Sequence, residues 1–138
     1  MQRAFFQKIE TYSNSTEIEL GDVIDEMGFD SSGLIPVITQ DASSKQVLML
    51  AWMNKEALWN TLNTGEVTYW SRSRKELWIK GATSGHTQEL VSLSIDCDGD
   101  AILCEVNQIG GACHTNRKHC FYLKADATRH KVQVVNVE

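Results

Sequence analysis

The stretch SLSIDCDGDAILCEV, residues 92–106, sets two apolar runs on either side of an acidic turn. Asp98-Gly99 is a strong hairpin signal, because glycine accepts the positive φ that a two-residue hairpin turn demands. The stretch therefore predicts two antiparallel strands with Asp96, Asp98 and Asp100 crowded at their tip. If it were extended instead, alternation would put the three carboxylates on one face and Cys97 on the other. In both geometries three like charges converge, which costs energy unless a cation neutralises them. Mg²⁺ suits carboxylate oxygens and keeps positions for waters and a substrate phosphate. A solvated acidic turn is the plain alternative, and the residues alone leave both open. An EF-hand is disfavoured, since the twelfth position counted from Asp96 is Asn107 rather than glutamate.

Outward from this hairpin the chain reads as further short strands. Leu34 with Pro36 to Ile38, and Val47 to Trp52, are apolar runs separated by turn residues Asp41 to Lys45. Val67 to Trp70, Leu77 to Ile79, Leu90 to Ile95, Ala101 to Val106, Cys120 to Leu123 and Val132 to Val137 complete the set. One main helix stands out. Asn54 is its N-cap, Glu56 favours its first turn, Leu58 and Leu62 share a face, and Gly65 stops it. The fold class expected is α+β, mostly antiparallel β with one main helix packed on the sheet. Residues 1–32 carry few apolar side chains and read as an N-terminal extension, a docking segment or a frayed end, with a single domain over 33–138.

The chain has 138 residues, 42% hydrophobic and 22% charged, enough for one core without help from disulfides or metal. Thirteen basic against eighteen acidic residues give a net charge of −5, which argues against nucleic acid or an anionic membrane as partner. No apolar run approaches the ~20 residues of a membrane span, and no signal-peptide core is seen. A cytoplasmic location is the expectation, and in a reducing compartment four cysteines more often bind metal or do chemistry than form bridges.

Three of those cysteines flank polar, metal-binding residue types. GGACHTNRKHC, residues 110–120, holds Cys113, His114, His119 and Cys120, without CxxC spacing. Cys97, Cys113 and Cys120 as thiolates would leave a fourth zinc position open, the mark of a catalytic site; buried free cysteines are the alternative. Three thiolates make zinc a weaker Lewis acid than three imidazoles do, so a nearby general base gains importance. His114 is adjacent, and histidine is the side chain that most often serves as a general base. Cys104, between Leu103 and Val106 in a strand, reads as core.

The segments LMLAWMNKEAL (48–58), TGEVTYWSRSRKELWIKGATSGHTQ (64–88), DCDGD (96–100) and ACHTNRKHCFY (112–122) together resemble the phosphoribosyl-AMP cyclohydrolases of histidine biosynthesis, over about residues 33–125. The resemblance implies hydrolysis of the N1–C6 bond of 1-(5-phosphoribosyl)-AMP by an intertwined homodimer using Zn²⁺ and Mg²⁺. By motif position it makes Asp96, Asp98 and Asp100 the magnesium ligands, and Cys113 and Cys120 zinc ligands together with Cys97 from the other subunit. His114 is then assigned as general base and acid, with His86 as the second choice. Arg72, Arg74, Lys75 and Lys80 concentrate positive charge for the two phosphates, beside the hydroxyls of Ser71, Ser73, Thr83 and Ser84. Trp70 or Trp78 could stack on the base; burial in the core and a solvated charge run are the alternatives for these groups.

Three positions depart from the family pattern: Asn116 for a Gly, His119 for a Ser and Gly111 for a Pro. Asn tolerates the left-handed conformation a Gly would supply there, so the turn is expected to survive. His119, beside Cys120, is expected to point to solvent, with an extra zinc-site or proton-transfer group as the alternative. The chain ends where bifunctional relatives would continue into a pyrophosphohydrolase domain, so a single activity is expected. The competing classes are a structural zinc interaction module and another zinc-dependent nucleotide deaminase, although the H-x-E and P-C-x-x-C signature of the latter is absent.

Overall fold

A computed structural model describes residues 3–135. Its centre is a four-stranded sheet built from two hairpins. Strands β1 (Ile35–Asp41) and β2 (Val47–Met53) pair antiparallel, as do β5 (Gln88–Ile95) and β6 (Ile102–Gln108). The hairpins join through β1 and β6, which run parallel, so the order across the sheet is β2-β1-β6-β5. Between the hairpins come the helix α3 (Lys55–Thr64) and a small two-stranded sheet of β3 (Thr68–Ser71) and β4 (Glu76–Ile79). A second small ribbon, β7 (Leu123–Asp126) with β8 (Lys131–Val134), follows the cysteine loop. This is the expected α+β class with mostly antiparallel pairing.

The main helix has the ends its sequence dictates. Asn54 Oδ1 accepts from the Ala57 amide at 2.8 Å, and Gly65 takes the left-handed conformation (φ 77°) that ends the helix. The helix buries Ala57, Leu58 and Thr61 against the sheet. Ile35, Val37, Leu48, Met53, Leu58, Val67, Tyr69, Ile102 and Val106 are almost wholly buried. Each such aliphatic side chain contributes roughly 1.5–3 kcal/mol relative to exposure. Cys104 is fully buried among them, as a core residue should be, and burial pushes its thiol up to about 12.

Four expectations are revised. The acidic connection is longer than a two-residue turn: pairing stops at Ile95 with Ile102, and residues 96–101 form the bend. The short Asp96 side chain accounts for this, because its Oδ1 accepts the amides of Asp100 (2.9 Å) and Ala101 (3.2 Å) in place of a ladder partner. Of the expected extension, the described residues from 3 onward are not a frayed end. They supply α1 (Arg3–Ile9) and α2 (Leu20–Glu26), and Phe6, Ile24 and Met27 join the main core, so α3 is the longest helix but not the only one. The apolar residues there are few but lie on one side of each short helix. Cys120 to Leu123 is not a strand, because the Cys120 amide donates to the Leu48 carbonyl (2.7 Å) and ties the chain to β2; β7 begins only at Leu123. The last strand ends at Val134, and Asn136 and Val137 of the expected run lie outside the described residues. No helix among the described residues is long and apolar enough to cross a membrane.

Candidate active site

The cysteine loop is folded by its own backbone. The Asn116 amide donates to the Cys113 carbonyl (2.9 Å), and the Cys113 amide to the Arg117 carbonyl (3.2 Å). Asn116 closes this turn at φ 68°, the left-handed conformation expected of it. A side chain at Gly111 would come within 2.8 Å of the Asn116 and Arg117 carbonyl oxygens, so two of the three departures from the family pattern face each other across the turn. His119, the third, is buried rather than solvent-facing, at 4% exposure, and its Nδ1 accepts the Phe121 amide at 3.0 Å. That local bond gives the ring a partner inside the loop, and burial followed by the charges of Lys124 and Lys118 holds it below the ordinary imidazole range.

This loop forms one wall of a cavity of about 570 Å³, the size of a small-ligand pocket. Cys113, Cys120 and His114 come from the loop; Trp78 and Lys80 come from β4 and its end; Thr83, Ser84 and His86 come from the turn that follows; Met49 forms part of the lining from β2. Cys113 and Cys120 are close enough to hydrogen bond to each other. Burial pushes the Cys113 thiol up, but the Thr115 hydroxyl at 3.1 Å, the Thr115 amide, Cys120 and Arg117 outweigh burial and leave it below the ordinary thiol range. Cys120 goes the other way, to about 11, through burial and then the neighbouring Cys113. The two sulfurs are thus shifted in opposite directions, in reach of a desolvated ammonium: Lys80 is 6% exposed and its charge is felt by Cys120. Burial lowers the Lys80 pKa, and its Nζ lies 5.5 Å from the Trp78 ring centre.

A buried polar chain supports this wall. Tyr69 donates to Gln88 Oε1 (2.6 Å), Gln88 Nε2 donates to Gln108 Oε1 (2.8 Å), and Gln108 Nε2 donates to the Ile109 carbonyl (3.0 Å) just before the cysteine loop. Thr39 Oγ1 closes the far end, 2.7 Å from the Tyr69 hydroxyl. Sequence reading missed this chain, because nothing in the spacing of Thr39, Tyr69, Gln88 and Gln108 links them; only the register of β1, β3, β5 and β6 does.

The acidic turn lies elsewhere. Asp100 is held above the usual carboxylate range, first by its hydrogen bond with Asp96, then by burial and by the charges of Asp96 and Asp98, so the expected crowding is real. Cys97 is exposed and lines a different cavity, with Phe6, Ile9 and Ile95. One chain therefore brings Cys113 to Cys120 but not to Cys97, and among the described residues no group of three or more His, Cys, Asp or Glu could hold a metal ion. The donor types nonetheless fit: two neighbouring sulfurs suit a soft divalent ion such as zinc, and clustered carboxylates suit a hard one.

The basic and hydroxyl residues divide between two hollows. Arg74, Lys80, Thr83, Ser84 and Trp78 face the cysteine cavity. Trp70, Ser71, Arg72 and Ser73 line a shallower groove of about 500 Å³ that shares Trp78 with the first, and there the Arg72 guanidinium stacks 4.8 Å from the Trp52 ring centre. Lys75 belongs to neither lining and sits in the β3–β4 turn at φ 55°.

An α+β domain with paired thiols, imidazoles and a buried ammonium around one small-ligand cavity belongs to the class of small enzymes. Comparison with known proteins narrows this class. The sequence profile of the phosphoribosyl-AMP cyclohydrolase family matches residues 49–122. A protein of Hyphomonas neptunium named phosphoribosyl-AMP cyclohydrolase is 61% identical over 98 residues, 71% of this chain and 75% of its own. Proteins of the same name from Bordetella avium and Alcanivorax borkumensis are 55% identical over 111 residues (80% of this chain, 83% of theirs) and 51% identical over 122 (88% and 86%). The chain belongs to the phosphoribosyl-AMP cyclohydrolase family, enzymes of histidine biosynthesis.

Proposed function

We propose that this chain opens the adenine ring of 1-(5-phosphoribosyl)-AMP at N1–C6, giving the formimino-aminoimidazole-carboxamide ribotide, as a homodimer that holds Zn²⁺ and Mg²⁺. The observation that carries the reading is the Cys113–Cys120 pair in a cavity shared with His114 and Lys80, in a chain of this family. In the reaction the oxygen of water adds to C6, the N1–C6 bond breaks, and N1 takes a proton. Cys113 and Cys120 would hold zinc together with Cys97 of a second copy, and Asp96, Asp98 and Asp100 would hold magnesium. Bound zinc supplies a Lewis acid that lowers the pKa of water towards neutrality.

The remaining steps fall to side chains. His114 removes a proton from the attacking water and returns it to N1, with His86, on the same cavity, as the alternative. Lys80, Arg74, Thr83 and Ser84 hold phosphate oxygens, and Lys80 is strengthened for this by being out of water. Trp78 stacks on the base. A second copy is supported by the separation of Cys97 from the other two sulfurs. The sheet also exposes Ile38 and Leu50, paired neighbours on β1 and β2, as apolar surface for a partner. All four cysteines are free, in keeping with a reducing cytoplasm.

The test is turnover of phosphoribosyl-AMP before chelation, after chelation and after zinc is added back. Ring opening that is lost and then recovered supports the proposal. No ring opening under any metal condition contradicts it.

A further inference from the structure

The N-terminal helix has a place in this site that the family motifs leave without a role. Phe6, on α1, is 5% exposed, and its ring lies so close to the backbone of Gly99 that a Cβ added there would sit 2.2 Å from two ring carbons. Gly99 also stands at φ 71°, so conformation and contact both demand glycine at the tip of the acidic turn. From the other direction, the Gly28 amide, just past α2, donates to the Gly99 carbonyl at 2.7 Å. The wall continues along the turn: Phe6, Ile9 and Val23 line one cavity with Ile95, Asp96 and Cys97. Within the bend the Asp96 amide donates to the Ala101 carbonyl (3.1 Å), the Asp96 carbonyl accepts the Gly99 amide (3.0 Å), and the Asp96 carboxylate accepts the amides of Asp100 and Ala101.

We propose that Phe6 is a positioning residue: α1 seats its ring on Gly99 and so fixes the bend that carries Asp96, Cys97, Asp98 and Asp100. The physical need is clear. Three like-charged carboxylates repel one another, and a turn closed by its own local bonds is steadied by a support behind it. A rigid aromatic ring against a bare glycine backbone gives that support at little conformational cost. The part concerning metal rests on the proposed magnesium site; the part concerning the turn does not.

Hydrogen exchange on the full-length protein separates the two. In Phe6→Ala the amides of Gly99, Asp100 and Ala101 should exchange about tenfold faster or more than in the parent, while those of β1 and β2 keep their rates. Phe6→Leu, which keeps apolar bulk on the glycine, should fall between the two and answers for the case where the alanine variant folds poorly. Titration with Mg²⁺ alone should show affinity weakened about tenfold in Phe6→Ala, as for loss of a supporting shell. Turn amides that exchange as in the parent, or that speed up only in step with β1 and β2, would overturn the positioning role. Asp98→Asn without any change in Mg²⁺ affinity would overturn the metal assignment, while the exchange result would still decide the role of Phe6.

Discussion

Tyr69→Phe is the sharpest probe of how the core supports the cavity. The substitution keeps the ring and removes one oxygen, so no large void is created. The lost hydroxyl serves two buried partners: it donates to Gln88 Oε1 at 2.6 Å and accepts from Thr39 Oγ1 at 2.7 Å. Neither partner has water nearby to turn to, since Thr39 is 0% and Gln88 1% exposed. An unsatisfied buried polar group costs about 1–3 kcal/mol, and two of them with partial relaxation give roughly 2–4 kcal/mol. That is a large part of the ~5–15 kcal/mol by which domains are stable. At about 3 °C per kcal/mol for a chain of this size, the midpoint should drop by roughly 6–12 °C. Equilibrium urea unfolding checks the value, with an unchanged m showing that only stability has moved. A loss below about 0.5 kcal/mol would refute the hydrogen-bonded chain as the support of the wall, because surface-like substitutions fall in that range.

Two further predictions follow from groups already described. His114→Ala should keep the zinc content of the protein and cut turnover by ~10²-fold or more, measured by metal analysis beside the ring-opening assay; near-normal turnover would remove it as the proton carrier. Stability should fall as pH rises above about 9. The unfolded chain gives up the Cys104 proton near its ordinary value of 9.0, whereas the folded chain holds it to about 12, so the unfolded state binds fewer protons across that window. Buried Tyr69, raised above its ordinary 10.0, adds the same sign at higher pH. Each group contributes up to about 1.4 kcal/mol per pH unit, and Cys104→Ala should flatten the decline between about pH 9 and 10 in urea melts run across that range.

What could be read from the chain alone divides along the range of the forces involved. Asn54, Gly65 and Asn116 act on backbone within a few residues of themselves, and their cap and left-handed turns stand as expected. The crowding of Asp96, Asp98 and Asp100 is equally local. The parallel pairing of β1 with β6 is not, because it joins residues far apart in sequence and neither strand carries a mark of its partner. For the same reason residues 1–32 read as an extension: Phe6 matters through Gly99, a contact that no local pattern announces. His119 is polar in a polar run, and only the fold of the loop shows that it turns inward to its own backbone. The basic residues fall close together in sequence, but Arg72 and Arg74 lie in the turn between β3 and β4, outside either strand, so only the path of that turn puts Arg74 with Lys80 on the cysteine cavity and Arg72 in the other groove.

The central claim is that one active site needs two chains, Cys97 from one and Cys113 with Cys120 from the other. Cys97→Ala and Cys113→Ala should each be inactive alone. In a dimer formed from one of each, one site carries both substitutions and the other neither. Co-refolding equal amounts should therefore restore about a quarter of the parent's sites and a matching rate of phosphoribosyl-AMP ring opening. A mixture that stays as inactive as its parts, although mixed dimers are present, would contradict a site shared between two chains.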